Sequence, residues 1–326
     1  MSAELAAHAA QTIQAGSKSF AMAARLFDPP TRRSVMLLYT WCRHCDDQVD
    51  GQQLGRGRHQ TDGQVLHALE VATRRACAGE TIHEPAFAAL QAVVQAHDIP
   101  ERFLMEHLQG FAMDVRGHRY QTQDDTLTYC YHVAGVVGLM MAWIMGVRDE
   151  AALDRACDLG IAFQLTNIAR DIVEDAGIGR CYLPDTWLRE LGFDLDSFAA
   201  EMLAERRHRP ALVHLAGRLT ALAEAYYQSA RAGLSALPLR SAWAIATALA
   251  VYREIGVQVR ERGVAAWDER VSTSKADKLR LLLWGVGAAL SSRYRKPSPR
   301  PIGLWNRPGH SLPLARVGAV PCSAPV

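Results

Sequence analysis

The chain has 326 residues, of which 49% are hydrophobic and 21% are charged, a composition typical of a soluble globular protein. A formal net charge of +2, without a basic patch interleaved with aromatic residues, argues against nucleic-acid binding. The N-terminus lacks a basic region followed by a long apolar run, so we expect no secretory signal. The longest apolar run, residues 133–147, is shorter than the ~20 residues that span a bilayer, which favours a buried core helix. Seven cysteines, an odd number in a long chain, indicate reduced thiols and a cytoplasmic location.

Apolar residues recur at helical spacing along most of the chain, and no segment shows the alternation of a β-strand. Val35, Leu38 and Cys42 illustrate this spacing, and the proline pair that begins at Pro29 marks the start of their helix. The pattern predicts an all-α fold for residues 1–292.

The C-terminal segment differs in composition from the rest of the chain. Residues 297–326 hold half of the 14 prolines and no acidic residue, and only basic residues follow Asp277 among the charged types. Residues 293–326 are therefore predicted to form a Pro-rich, basic, disordered tail. A solvated tail is the favoured interpretation, and weak attraction to an anionic membrane surface is the alternative.

The first acidic segment covers residues 43–50, Arg-His-Cys-Asp-Asp-Gln-Val-Asp. The helical pattern upstream of it places Asp46 and Asp50 one turn apart on the same helix face, where like charges repel. Something usually compensates this repulsion, although a surface helix could leave the two carboxylates to water.

The second acidic segment covers residues 164–175. Asn167, Asp171 and Asp175 are spaced by four residues and form one stripe of oxygen ligands, with Gln164 almost in line. The apolar residues of the segment lie on a different face and indicate a buried helix. Carboxylates on a buried helix are costly unless they are paired with cations or bind a metal.

Two acidic stripes in one helical protein suggest a shared ligand. If they face each other across a cavity, Mg²⁺ could bridge them together with the phosphate oxygens of a substrate, because this ion prefers oxygen ligands. Arg43, Arg170 and Arg180 lie beside the stripes and have the planar geometry that suits phosphate. The alternative is that both helix faces form ordinary salt bridges with these arginines.

Four segments in this order resemble the signatures of the squalene and phytoene synthases, a family of head-to-head prenyl condensing enzymes. The segments are residues 17–20, 39–50, 129–138 and 160–184. Tyr252 and Arg270 lie where the family has late substrate-contacting residues, with a looser match. A set of motifs in the right order is far more specific than any one of them.

The resemblance implies a single-domain isoprenoid synthase fold with helices around a large central cavity, and it implies roles for individual residues. The implied catalytic residues are Asp46, Asp50, Asp171, Asp175 and Tyr129. The implied magnesium ligands are Asp46, Asp50, Asn167, Asp171 and Asp175. The residues expected to bind the substrate diphosphate are Ser17, Ser19, Arg43, Gln164, Arg170, Arg180, Tyr252 and Arg270. The expected cavity wall comprises Val133, Ala134, Val137 and Gly138, whose small side chains could instead serve close helix packing.

The reaction implied by the resemblance joins two geranylgeranyl diphosphates through a cyclopropyl (prephytoene) diphosphate to phytoene, with release of diphosphate. It implies a role in carotenoid biosynthesis, Mg²⁺ as cofactor with Mn²⁺ as substitute, and no NADPH. Released diphosphate and Tyr129 are both candidates for the proton-accepting base. The alternatives are a farnesyl-diphosphate-using synthase of dehydrosqualene, squalene or presqualene diphosphate, and a non-catalytic assembly or binding protein of the same fold. We expect a cytoplasmic protein that contacts the inner face of the membrane and associates with other carotenoid-pathway enzymes.

Overall fold

The computed structural model of the protein describes residues 3–16, 18–51 and 63–309, which form helices and turns without a β-strand. The α-helices are α1 (Ala3–Gly16), α2 (Lys18–Ala24), α3 (Pro29–Val49), α4 (Gly63–Cys77), α5 (Pro85–His97), α6 (Glu101–Val115), α7 (Gln123–Cys130), α8 (Val136–Ile144), α9 (Glu150–Ala176), α10 (Asp185–Glu190), α11 (Arg209–Gly233), α12 (Leu239–Arg262) and α13 (Lys275–Ser291). A π-helical turn, Tyr131–Gly135, joins α7 to α8. The 3₁₀ turns are Ala200–Ala204, Arg206–His208, Leu234–Ala236 and Gly263–Trp267. The predicted all-α fold is confirmed.

Local sequence signals set the starts of the helices that matter for the cavity. The carboxylate of Asp28 caps α3 by accepting the backbone N–H of Thr31, and Pro29 occupies the first helical position. The first turn of α13 has a capping box, in which Ser274 and Asp277 each accept the other's backbone N–H. The start of α3 at Pro29 agrees with the sequence-based prediction.

The long helix α9 lies at the centre of the fold and packs against α8, α11 and α12. Glycines bring its backbone against the neighbouring helical segment. A Cβ atom on Gly138 would lie 2.2 Å from the carbonyl oxygen of Ala156, and one on Gly160 would lie 2.1 Å from that of Ala134. Any larger side chain would push α8 away from α9, so these glycines are required for close helix packing.

One helical stretch, Gln123–Ile144, is long and apolar enough to cross a membrane by length and composition alone. It runs through α7, the π-helical turn and α8. In the structure 61% of its most apolar window is buried, and Leu139 and Met140 are completely enclosed. The stretch therefore forms part of the protein core, as expected for residues 133–147.

The chain after α13 folds back onto the first half of α9. The guanidinium of Arg300 binds the fully buried carboxylate of Asp158 at 2.7 Å, and Arg307 binds Asp154 at 2.7 Å. The backbone N–H of Trp305 donates a hydrogen bond to the hydroxyl of Tyr226. The sequence-based expectation of disorder is therefore wrong for residues 293–309, because buried aspartates of α9 pair with their arginines. Residues 310–326, and residues 52–62 after α3, lie outside the described residues.

Candidate active site

A cavity of about 580 Å³ extends along α9, from Ala152 near the start of the helix to Asp175 at its end. At the α-helical rise per residue this distance is roughly 34 Å. The end near Asp175 is lined by charged side chains, and we call it the polar end. The other end is formed mainly by apolar residues such as Met145, Leu234 and Leu237. This shape can hold a long apolar chain with a charged head group.

Most of the predicted site residues line this cavity. They are Arg43, Asp46, Tyr129, Val133, Ala134, Val137, Gly138, Gln164, Asn167, Arg170, Asp171, Asp175, Arg180, Tyr252 and Arg270. Asp50 is placed beside them, since its carboxylate accepts a hydrogen bond from Arg180 at 2.5 Å. Ser17 lies outside the described residues, and so does the side chain of Ser19, which belongs to α2. Gly138 lines the cavity and also packs closely on α9. At this position the small residue therefore serves both the cavity wall and close helix packing.

The end of α3 supplies the first wall of the polar end. Arg43 binds two carboxylates of its own helix, Asp46 at 3.0 Å and Asp47 at 2.7 Å. Burial and, to a smaller extent, the negative charge of Asp50 raise the pKa of Asp46 to about 6 against the attraction of Arg43. The protein therefore holds a carboxylate here that a cation would stabilise in its ionised form.

The end of α9 supplies the opposite wall. Asp171 accepts hydrogen bonds from Arg170 at 2.7 Å and from Arg270 at 3.0 Å. Burial favours the neutral acid, but these two guanidinium groups hold the pKa of Asp171 below its ordinary value. One turn later, burial and the neighbouring charge of Asp171 raise the pKa of Asp175 to about 8, although Arg180 opposes this rise. The two carboxylates of one stripe thus have very different proton affinities.

The side chains at the polar end suit a divalent cation such as Mg²⁺. The amide oxygen Oδ1 of Asn167 is buried without a hydrogen-bond partner, and the carboxylates of Asp46 and Asp175 have raised pKa values. No cluster of three or more metal-binding side chains occurs within the described ranges. Mg²⁺ usually takes only one or two carboxylates and fills its remaining positions with water and substrate phosphate. Separate oxygen donors on two walls therefore fit this ion.

The structure adds one residue that the sequence patterns did not single out, Asp114 on α6, and places it beside Tyr182 of the fourth signature segment. The carboxylate of Asp114 accepts hydrogen bonds from the hydroxyls of Tyr129 and Tyr182, each at 3.1 Å. The two tyrosine rings stack with their centroids 4.6 Å apart. Burial raises the pKa of Asp114 to about 6, although Arg180 and both hydroxyls favour its charged form. No other carboxylate lies one turn away from Asp114 on α6, so a search for acidic stripes passes over it.

The hydroxyl of Tyr129 donates a hydrogen bond to Asp114, and its own acidity is weak. Burial raises the pKa of Tyr129 well above its ordinary value, and the nearby Tyr182 and Asp114 raise it further. The phenol therefore stays protonated in the free protein and helps to hold Asp114 in place.

An all-α fold that encloses a long apolar cavity, with aspartates and arginines at one end, defines an isoprenoid-synthase type of protein. The sequence profile of the squalene/phytoene synthases matches residues 13–277, and this chain belongs to that family. The predicted resemblance is therefore confirmed.

Individual relatives show the same similarity. The chain is 60% identical over 305 residues to a 15-cis-phytoene synthase from Pantoea ananas, which covers 92% of this chain and 97% of that protein. It is 49% identical over 305 residues to a 15-cis-phytoene synthase from a Paracoccus species, with coverage of 92% and 97%. Among solved structures, a dehydrosqualene synthase superposes with a TM-score of 0.79 at 28% identity, covering 88% of this chain and 97% of that chain.

Proposed function

We propose that this protein condenses two geranylgeranyl diphosphates head to head, through prephytoene diphosphate, to phytoene in carotenoid biosynthesis. Membership of the family makes the chain a prenyltransferase. The observation that carries the proposal is a single cavity with a charged end and a long apolar body. Relatives that are up to 60% identical are named phytoene synthases, and this supports the C20 substrate over the C15 substrate.

Two sets of side chains would hold Mg²⁺, or Mn²⁺ in its place. Asp46 and Asp50 form one set on α3, and Asn167, Asp171 and Asp175 form the other on α9. When bound, the cation would offset the charge that develops on the diphosphate as its bond to carbon breaks. Without such a cation these carboxylates would repel the diphosphate, so their number is itself an argument for metal dependence.

The arginines at the polar end change partners in this proposal. Arg43, Arg170, Arg180 and Arg270 all bind carboxylates in the structure. A diphosphate offers the same planar groups a stronger bidentate partner, because its oxygens carry more charge. The arginines then bind and orient the leaving group, while the released carboxylate oxygens become available as cation ligands.

The apolar body of the cavity protects a carbocation from water. Phe163 and Tyr252 stack with ring centroids 4.2 Å apart and line the cavity beside the polar end. Their faces can stabilise positive charge, and the surrounding aliphatic side chains exclude nucleophiles. For the final proton loss, released diphosphate is favoured as the base, because Tyr129 keeps its own proton strongly.

The function is tested by incubating the purified protein with Mg²⁺ and either geranylgeranyl or farnesyl diphosphate, without NADPH, and identifying the hydrocarbon. We expect phytoene from the C20 substrate and no product when the cation is removed with EDTA. A product from the C15 substrate alone would instead identify a dehydrosqualene or squalene-type synthase. No diphosphate release from either substrate would favour the non-catalytic alternative. Cytoplasmic location and association with other carotenoid-pathway enzymes remain predictions.

A further inference from the structure

Helix α13 has apolar side chains on two opposite faces. Its inner face packs on α12 through Leu281, Gly285 and Ala289. On its outer face, Leu279, Leu283 and Leu290 are 60%, 66% and 47% exposed. Their spacing of four and seven residues places them in one line along the helix, which we call the outer stripe. A surface helix normally presents polar residues there, so the outer stripe indicates a binding surface.

Other exposed apolar side chains lie close to the outer stripe along the chain. Trp284 is partly exposed on α13, and the guanidinium of Arg231 lies 5.2 Å from the centre of its ring. Tyr294, in the turn that follows α13, is almost fully exposed. Tryptophan and tyrosine favour the boundary between water and lipid, because one part of each ring is apolar and the other is polar.

The charge beside the outer stripe is positive. Arg293, Arg295 and Lys296 follow α13 on the exposed surface, and no acidic residue occurs after Asp277. The guanidinium of Arg293 donates to backbone carbonyls, so its charge is not neutralised by these contacts. A binding partner for this surface should therefore combine negative charge with an apolar interior, as an anionic bilayer does.

The inner face of α13 contacts side chains that line the cavity. Leu281 clusters with Val251 and Met22, which both line the cavity wall. A Cβ atom on Gly285 would lie 2.4 Å from the hydroxyl of Thr247, another cavity-lining residue. Because these contacts are direct, what lies between the outer stripe and the cavity is α13 itself and the layer of α12 and α2 side chains beneath it.

The end of α13 also lies beside the apolar end of the cavity. Arg293 donates hydrogen bonds to the backbone carbonyls of Ser235 and Leu237, and Leu237 lines that end. Leu239, two residues further, is half-exposed. The exposed apolar surface and the apolar end of the cavity are thus neighbours, on the side away from the acidic stripes.

We propose that the outer stripe of α13, together with Arg293, Arg295 and Lys296, docks on a bilayer that contains anionic lipids. The leucines enter the interface between head groups and acyl chains, and the basic residues bind the head groups. The role of this docking rests on the proposed function. It brings the apolar end of the cavity to the membrane, which holds the prenyl substrate and the hydrocarbon product. A second copy of the chain fits less well, since a twofold contact would bring the same basic residues together.

The test measures sedimentation of the full-length protein with phosphatidylcholine vesicles, with and without an equal part of phosphatidylglycerol. We expect binding to the anionic vesicles, weakened by salt, and little binding to the neutral ones. The triple variant Leu279→Ser, Leu283→Ser, Leu290→Ser should bind at least about tenfold more weakly. The double variant Arg295→Glu, Lys296→Glu should lose about tenfold as well.

A matched control carries serine at Val71 and Val264, two exposed apolar residues on other helical segments. It should bind vesicles as the unaltered protein does. Unchanged vesicle binding by the triple leucine variant would overturn the proposal. The proposal would also be overturned if the three leucine substitutions only dissociated a dimer in buffer, because this result would show that the outer stripe binds a second copy of the chain. If vesicle binding appeared only after removal of residues 310–326, the outer stripe would be the docking site of that segment in the full-length protein, and this result would also overturn the proposal.

Vesicle binding is measured without substrate, so it is independent of catalysis. Turnover of detergent-dispersed substrate is measured in parallel, and the triple leucine variant should keep it. Loss of vesicle binding with retained turnover supports the docking surface. Normal vesicle binding without turnover in the unaltered protein would refute the proposed function and leave the docking surface standing.

Discussion

The two halves of α9 carry aspartates at the same spacing but use them differently. In the first half, Asp154 and Asp158 are buried and paired with Arg307 and Arg300 from the C-terminal segment. In the second half, Asp171 and Asp175 line the cavity, and Asp175 has a pKa of about 8. Two carboxylates one turn apart therefore do not by themselves indicate a cation site.

The difference lies in what neutralises each pair. The arginines that neutralise the first pair come from far along the chain and are themselves largely buried, so that the ion pairs close the structure. In the second pair Asp171 has two arginines, whereas Asp175 lacks enough positive charge to keep its ordinary pKa. A carboxylate that lines the cavity is a candidate ligand, and one that is enclosed in buried ion pairs outside the cavity is a structural element.

The largest effect should follow from Asp175→Asn at the polar end. We expect turnover to fall on the order of a thousandfold, because a proposed cation ligand is lost where charge develops. The melting temperature should stay the same or rise, since the amide removes repulsion from Asp171. The measurement is diphosphate release under saturating Mg²⁺, with thermal unfolding of the same sample.

Asp154→Asn on the same helix is the matched control for that variant. It should keep its turnover at temperatures where it is folded and lose stability instead. If Asp175→Asn retained full turnover, or lost as much stability as the control, the distinction between the two halves of α9 would be wrong.

The second prediction concerns the paired half of α9. Asp158→Asn should lower the free energy of unfolding by about 3–5 kcal/mol, because it leaves the guanidinium of Arg300 buried without its counter-charge. Urea unfolding followed by circular dichroism measures this change. Glu224→Gln, which breaks the exposed pair with Arg253, should cost less than about 1 kcal/mol. Equal effects of the two changes would contradict a structural role for the C-terminal segment.

The sequence was sufficient to predict the helical fold and most of the polar end. Helical spacing placed Asn167, Asp171 and Asp175 on one face, and the structure has all three in the cavity wall. This works because a ligand stripe on one helix is a local property, determined by the helical repeat.

The parts that the sequence did not reveal depend on contacts between distant segments. Asp114 becomes a site residue only because α6 brings it to the hydroxyls of Tyr129 and Tyr182. The order of residues 293–309 depends on arginines that find aspartates more than a hundred residues earlier. The composition of this segment favoured disorder, because a count of charges and prolines contains no information about buried partners elsewhere in the chain.

The third prediction is a pH dependence of stability that arises at the polar end. Asp46, Asp114 and Asp175 have pKa values of about 6, 6 and 8, above the ordinary 3.8. At these three carboxylates the folded protein binds more protons than the unfolded chain between about pH 4 and 8, so their contribution to stability falls as pH rises through this range. In EDTA, we expect Asp175 alone to contribute a loss of about 2 kcal/mol between pH 6 and 8. Asp175→Asn should flatten this slope, and an equally steep slope in that variant would disprove the assignment.

The smallest effect should come from the hydroxyls that hold Asp114. Tyr129 and Tyr182 donate to the same carboxylate at the same distance, so Tyr129→Phe and Tyr182→Phe should each remove one hydrogen bond. We expect both variants to lower turnover to a similar extent, by about fivefold, which corresponds to one ordinary hydrogen bond. Parallel measurements of turnover against pH test this, and the acidic limb should move to higher pH in both variants because Asp114 loses a donor to its charged form. If Tyr129→Phe alone lost more than about a hundredfold, the phenol rather than the released diphosphate would be the base for the final proton.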